Sequence, residues 1–168
     1  MITHCFTRPS GKKVSGEELV KICTEYIAKD PMAEYEITVG TDSQDHKDVS
    51  KVVEVITVRN IGKGGIFFYS VEYVPKFCTL KQKIENETMR SLNNANGLLD
   101  EMQLQLIDKD IDIDKMDIKF QIHCDIGHFG KTSELIKEIT NWVHAYGYEC
   151  LIKPDSYTAN AIADKYSK

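Results

Sequence analysis

The sequence is short of the features that mark several large classes of protein. No run of 18 apolar residues occurs in its 168 residues, so no membrane-spanning helix is predicted. The opening residues lack the ordered basic, apolar and small-residue regions of a signal peptide, and a cytoplasmic location is expected. Five cysteines (Cys5, Cys23, Cys78, Cys124, Cys150) are scattered, odd in number and never spaced CxxC, which argues against zinc-ribbon and redox-motif readings. Several sit in apolar patterns, as small buried hydrophobes do. With 10 Gly and 4 Pro there is no low-complexity segment, and no internal repeat is present. Positive charge is also in deficit: 21 Lys and Arg face 26 Asp and Glu, a net charge of −5. Any contact with nucleic acid must therefore rely on a local basic patch.

What remains is the composition of an ordinary globular chain, 42% hydrophobic and 28% charged. A single domain over 1–168 is expected, with an arm and helix over 1–34 and a core over 35–168. The first dozen residues read as an irregular arm. Ser15 and Glu18 form a capping box, and Leu19, Ile22, Cys23, Tyr26 and Ile27 keep helical spacing up to Asp30-Pro31. Tyr35, Ile37 and Val39 then alternate with Glu36 and Thr38, predicting a strand over about 35–41 that ends near Asp42. Residues 43–50 read as a polar turn. Strands over about 52–59 and 66–74, joined by a Gly-rich turn, complete an antiparallel meander.

A long helix is predicted from about Thr79 to Ile107, with Gly97 and the neighbouring asparagines marking a kink or break. Asp110–Asp114 superficially suggests a calcium loop, but Lys115 and Gln121 stand where that loop needs Gly and Glu, so a polar connector is the reading. A fourth strand over about 117–124 ends in Asp125. A helix from about Thr132 to Tyr146 follows, then a strand over about 148–152 and a short final helix ending near Tyr166. A meander followed by helix, strand, helix, strand, helix is the ribonuclease H-like layout. The expected fold is α/β, a five-stranded mixed sheet in order 3-2-1-4-5 with helices on both faces, preceded by an N-terminal helix.

In open sheets of this kind the ends of adjacent parallel strands flank the natural site. Asp42 and Asp125 end two strands that become neighbours in that order. Glu87 falls on the apolar stripe of the long helix, between Ile84 and Ser91, whereas Glu85 points away. Asp164 shares a face of the final helix with Tyr157 and Ala161. Three of these acids have a plainer reading: Asp42 capping a turn, Glu87 reaching water at the stripe edge, Asp164 solvated beside Lys165. If they converge, their mutual repulsion calls for divalent cations, and an all-oxygen donor set favours magnesium or manganese. Two such ions suit phosphodiester cleavage.

The strings Val39-Gly-Thr-Asp-Ser-Gln44, Gly62-Lys-Gly-Gly65 with Phe67-Phe-Tyr69, His123-Cys-Asp-Ile-Gly127, Gly130-Lys-Thr132, and Lys153-Pro-Asp-Ser-Tyr157 through Ala163-Asp-Lys165 resemble the YkuK family, a bacterial family of ribonuclease H-like proteins. The match runs over nearly the whole chain. The resemblance implies the fold. By superfamily analogy it implies an acidic set of Asp42, Glu87, Asp125 and Asp164, catalytic and metal-holding, in a nuclease acting on RNA, DNA or hybrid. Lys131 and Lys153 are candidates for phosphate contact, and His123 for a supporting group or proton shuttle near Asp125. Phe67 and Tyr69 are candidates for base stacking or for the core.

Two other readings stand beside this one. Gly127–Thr132 lies where a phosphate-binding loop would, but G-x-x-x-x-G-K-S/T requires Gly at 125, where an acid stands. A ribonuclease H-like scaffold used for binding or assembly, without catalysis, fits the acidic balance. No membrane partner is expected.

Overall fold

The computed structural model describes residues 1–156 together with Ala161. Its centre is a meander of long strands: β3 (Glu34–His46), β4 (Val49–Asn60) and β5 (Gly64–Pro75), reached from two short strands, β1 (Phe6–Thr7) and β2 (Lys13–Val14). Later strands β6 (Asp117–His123) and β7 (Glu149–Leu151) extend the other side. The sheet order is β2-β1-β5-β4-β3-β6-β7, with β3, β6 and β7 parallel and the rest antiparallel.

Among the described residues the five-stranded expectation is thus corrected to seven. The difference comes from the arm predicted to be irregular: Phe6 and Thr7 pair with Val14 and Lys13, and Thr7 pairs with Tyr69 on the open side of β5. A bare edge strand leaves a row of unpaired amides and carbonyls, and the arm covers part of it. The polar turn expected over 43–50 also shrinks. Ser43, Gln44, Asp45 and His46 pair with Val52, Lys51, Ser50 and Val49, leaving Lys47 (φ 51°) and Asp48 as the tip. Ser50 Oγ donates to Asp45 Oδ1 at 2.6 Å, so the polar residues bond within the hairpin.

Helix α1 (Gly16–Ala28) is capped as expected, with the Ser15 hydroxyl accepting from the Glu18 amide at 3.1 Å. Helix α2 (Leu80–Asp108) runs 29 residues without the expected break. Gly97 serves a different purpose. A Cβ there would stand 3.1 Å from the backbone nitrogen of Ile2, and one on Gly16 would stand 2.1 Å from the Ile2 carbonyl oxygen. The two glycines therefore make the slot in which Ile2 is buried. Gly16→Ala is expected to expel that segment and lower the melting temperature by about 5 °C, the loss of one buried Ile side chain, ~2 kcal/mol. A rise in thermal unfolding temperature, from the better helix propensity of Ala alone, would contradict the seating.

Helix α3 (Ile136–Ala145) follows a 3₁₀ turn at Ser133–Leu135. Leu19 and Ile27 from α1, Ala95, Leu98 and Met102 from α2, and Ile139 and Val143 from α3 join Ile37, Val39, Ile56, Val58 and Ile122 in one core. Val53, Val55 and Tyr69 form a separate apolar group on the opposite face. Among the described residues the helices therefore pack on one face rather than both. The expected final helix, with Asp164, lies outside the described residues.

Candidate functional site

Alternation along β3 sends Tyr35, Ile37 and Val39 into the core beneath α2, and the same side continues with Thr41 and Ser43. There the contact between strand and helix turns polar. Thr41 Oγ1 lies 2.8 Å from Ser91 Oγ. Ser43 donates to Glu87 Oε1 twice, from its amide at 3.0 Å and its hydroxyl at 2.6 Å. The helical stripe that predicted Glu87 to face inward was therefore a good guide. Asp42, 6% exposed, stands between Thr41 and Ser43 on the strand. It does not end β3, which runs four residues further. The strand that ends is the neighbour: β6 stops at His123, opposite Gly40, so Asp42 lies just beyond the parallel pairing.

Asp125 follows two residues after β6. Past the regular strands the two chains stay joined, Cys124 N–H to Leu151 O at 2.9 Å and Lys153 N–H to Ile126 O at 2.8 Å. This sets Asp125 and Lys153 across from each other. Lys153 Nζ lies 2.9 Å from Asp125 Oδ1, an ion-pair contact that lacks hydrogen-bond alignment. Lys153, expected to meet phosphate, thus holds an acid of the candidate site. Lys131 is exposed in the adjoining loop.

Glu87 is the electrostatic centre of the arrangement. Burial pushes its carboxyl up to about 8; the Ser43 hydrogen bonds and Lys83 oppose that rise, and the charges of Asp42 and Asp125 add to it. A second buried glutamate gives the contrast. Glu54, also on the α2 side of the sheet, accepts from Asn94 Nδ2 at 2.6 Å and stands 3.2 Å from His4 Nε2 and 3.5 Å from an Arg90 nitrogen. Burial pushes Glu54 up as well, but His4, Asn94 and Arg90 outweigh it and hold the carboxyl below its ordinary value. Glu54 lines a groove of about 680 Å³ whose charges already answer one another. Glu87 faces acids instead.

His123 is 6% exposed, and burial lowers its pKa to about 4 against the pull of Asp155 and Glu149. It is a neutral imidazole at pH 7. In the loop after Asp125 the Gly127 amide is taken up within the loop, donating to Thr132 Oγ1 at 3.1 Å. Phe67 and Tyr69 are half-buried on β5. The aromatic that the sequence reading passed over is Phe129, 95% exposed at the tip of that same loop. Its signal was available in the flanking Gly127 and Gly130, which mark an exposed turn beside Asp125.

Three oxygen-donor side chains from β3, α2 and the end of β6 suit the chemistry of a hard divalent cation. Their spacing as folded is not that of a finished cage. Among the described residues no three His, Cys, Asp or Glu side chains stand close enough together to hold an ion. Glu87 is turned to Ser43 and Asp125 to Lys153, so the acids share a field rather than a ligand position.

The sequence pattern of the family described as Ribonuclease H-like matches residues 18–168. The "Uncharacterized protein YkuK" of Bacillus subtilis (strain 168) is 31% identical over 166 residues, covering 97% of this chain and 96% of that protein. No solved structure matches. No helix among the described residues is long and apolar enough to cross a membrane.

Proposed function

Because the chain belongs to the ribonuclease H-like family, alongside YkuK-like proteins, we propose that it hydrolyses phosphodiester bonds in nucleic acid, with divalent cations held by Asp42, Glu87 and Asp125. Family membership points to a nuclease or nucleic-acid-related function; the cation, the reaction and the residues are the proposal. One observation carries it. Two acids from separate elements, Asp42 of β3 and Asp125 beyond β6, act on the buried Glu87 of α2 and oppose its ionisation. Such convergence is costly to a fold unless a proton or a cation occupies it.

Magnesium or manganese bound there would supply an activated water and charge stabilisation at the leaving oxygen. The chain's part is positional. Ser43 fixes Glu87, Lys153 neutralises Asp125 until a cation takes its place and frees its ammonium for phosphate, and Lys131 offers charge to a phosphate backbone. Asp164 belongs to this proposal as a fourth acid, and His123 as an uncharged supporting group. The test is a panel of labelled RNA, DNA, hybrid and junction substrates with magnesium, manganese or a chelator. Metal-dependent cleavage of at least one supports the proposal, and no cleavage of any sinks it.

Phe129 offers an aromatic face at the rim of the site, and stacking on an unpaired base is worth about 1–3 kcal/mol. Phe129→Ala is expected to weaken binding of a single-stranded oligonucleotide at least ~5-fold by fluorescence anisotropy, with duplex binding less affected. Equal affinity in wild type and variant would remove Phe129 from the interface.

A second reading, a scaffold that binds nucleic acid without cutting it, has one observation in its favour. The ammonium of Lys153 occupies Asp125 where a cation ligand should be open. Retention of oligonucleotide without metal-dependent cleavage in the same panel selects this reading.

A further inference from the structure

Two of the five cysteines meet in the fold, although nothing in their spacing suggests it. Cys150 pairs with Ile122 in the β6–β7 register, and strand alternation puts Cys124 on the same face, two residues on. The Cys124 amide bonded to Leu151 O fixes that offset. The sulfurs lie 3.8 Å apart in hydrogen-bond contact. Cys124 is 5% exposed, Cys150 is half-buried, and both are free thiols. A disulfide needs about 2.05 Å between sulfurs, so closure requires roughly 1.8 Å of approach, shared between two side-chain rotations and a small movement of the short edge strand β7.

We propose that Cys124 and Cys150 are a modification site, forming a reversible intramolecular disulfide on reaction with a low-molecular-weight disulfide. The half-exposed Cys150 reacts first. It gives its proton to solvent, its thiolate attacks one sulfur of the reagent, and the reagent's S–S bond breaks to expel one thiolate. The Cys124 sulfur, losing its proton in turn, attacks the Cys150 sulfur and expels the second thiolate. The two protein thiols lose two electrons and two protons, and the reagent is reduced to two thiols. The new bond ties β7 to the residue immediately before Asp125, on the two segments that carry the Asp125–Lys153 pair. Disulfides of this kind in reducing compartments are transient and regulatory rather than structural.

The experiment uses the full chain carrying Cys5→Ser and Cys78→Ser, which removes the exposed thiols, and oxidised glutathione as the reagent. Peptide mapping is expected to find Cys124 linked to Cys150, two hydrogens lighter than the dithiol, and restored by dithiothreitol. In a further Cys124→Ala variant, Cys150 is expected to accumulate as the glutathione adduct at near one per chain, several-fold above the level with Cys124 present. In a Cys150→Ala variant, Cys124 is expected to stay unmodified. The proposal is overturned if both thiols remain alkylatable after treatment. It is also overturned if Cys150 persists as a glutathione adduct with Cys124 intact. Mapping of the chain with both thiols decides the matter even where a variant fails to fold.

Discussion

Replacing Glu87 by Gln is expected to stabilise the metal-free protein, by an amount that grows as the pH rises from 4.5 to 8. A carboxyl whose folded pKa of about 8 lies above its ordinary value of 4.5 keeps its proton in the folded chain and loses it in the unfolded one across that interval. The folded state then binds more protons, so stability is lost as pH rises through the interval and the loss is complete above it. At about 1.4 kcal/mol per pH unit, the ceiling on this loss is roughly 5 kcal/mol. Gln keeps an acceptor for both Ser43 donors and carries no charge to lose.

Two histidines complicate the raw profile. His123, held down to about 4, favours the folded state as pH rises toward 6.5 and opposes Glu87 there. His4, raised by its hydrogen bond to Glu54, acts in the same direction as Glu87 above 6.5. The difference between variant and wild type removes both. Urea denaturation in a chelator, at pH 5, 6.5 and 8, is the measurement. A difference that does not grow with pH contradicts the placement of Glu87 among acids.

Asp42→Asn is expected to reduce metal-dependent cleavage at least ~100-fold, the equivalent of about 3 kcal/mol of transition-state stabilisation. The substitution is nearly isosteric and sits within a strand paired on its β4 side, opposite Val53, so the far-UV circular dichroism should be unchanged. It also carries a second readout. Removing the Asp42 charge relieves one of the effects that hold Glu87 high, so the pH-dependent loss of stability should end at lower pH and be smaller in total in this variant. Wild-type cleavage rates in Asp42→Asn would remove it from the site.

Much of this arrangement was legible in local patterns. Strict alternation at Tyr35–Val39 predicted β3, the capping box at Ser15 predicted α1, and the stripe from Ile84 to Ser91 put Glu87 on the inner face of α2. The failures share a cause. Ser43–His46 read as a turn because they are polar, but Ser43 is made inward-facing by a partner on α2, and Asp45 is satisfied by Ser50 across the hairpin. Gly97 read as a helix breaker because its packing partner, Ile2, is 95 residues away. The Lys153–Asp125 contact and the Cys124–Cys150 approach likewise depend on parallel pairing of β6 and β7. Such pairing joins residues through a crossover and leaves no mark in either segment alone.

Asp42, Glu87 and Asp125 are proposed to form one cation site. Calorimetric titration of magnesium into the full chain at pH 7, in two buffers of different ionisation enthalpy, tests it most directly. Binding is expected in wild type with release of nearly one proton, as Glu87 ionises, and is expected to be lost in Asp42→Asn. Absence of binding, or binding of equal strength and without proton release in both proteins, would contradict the account.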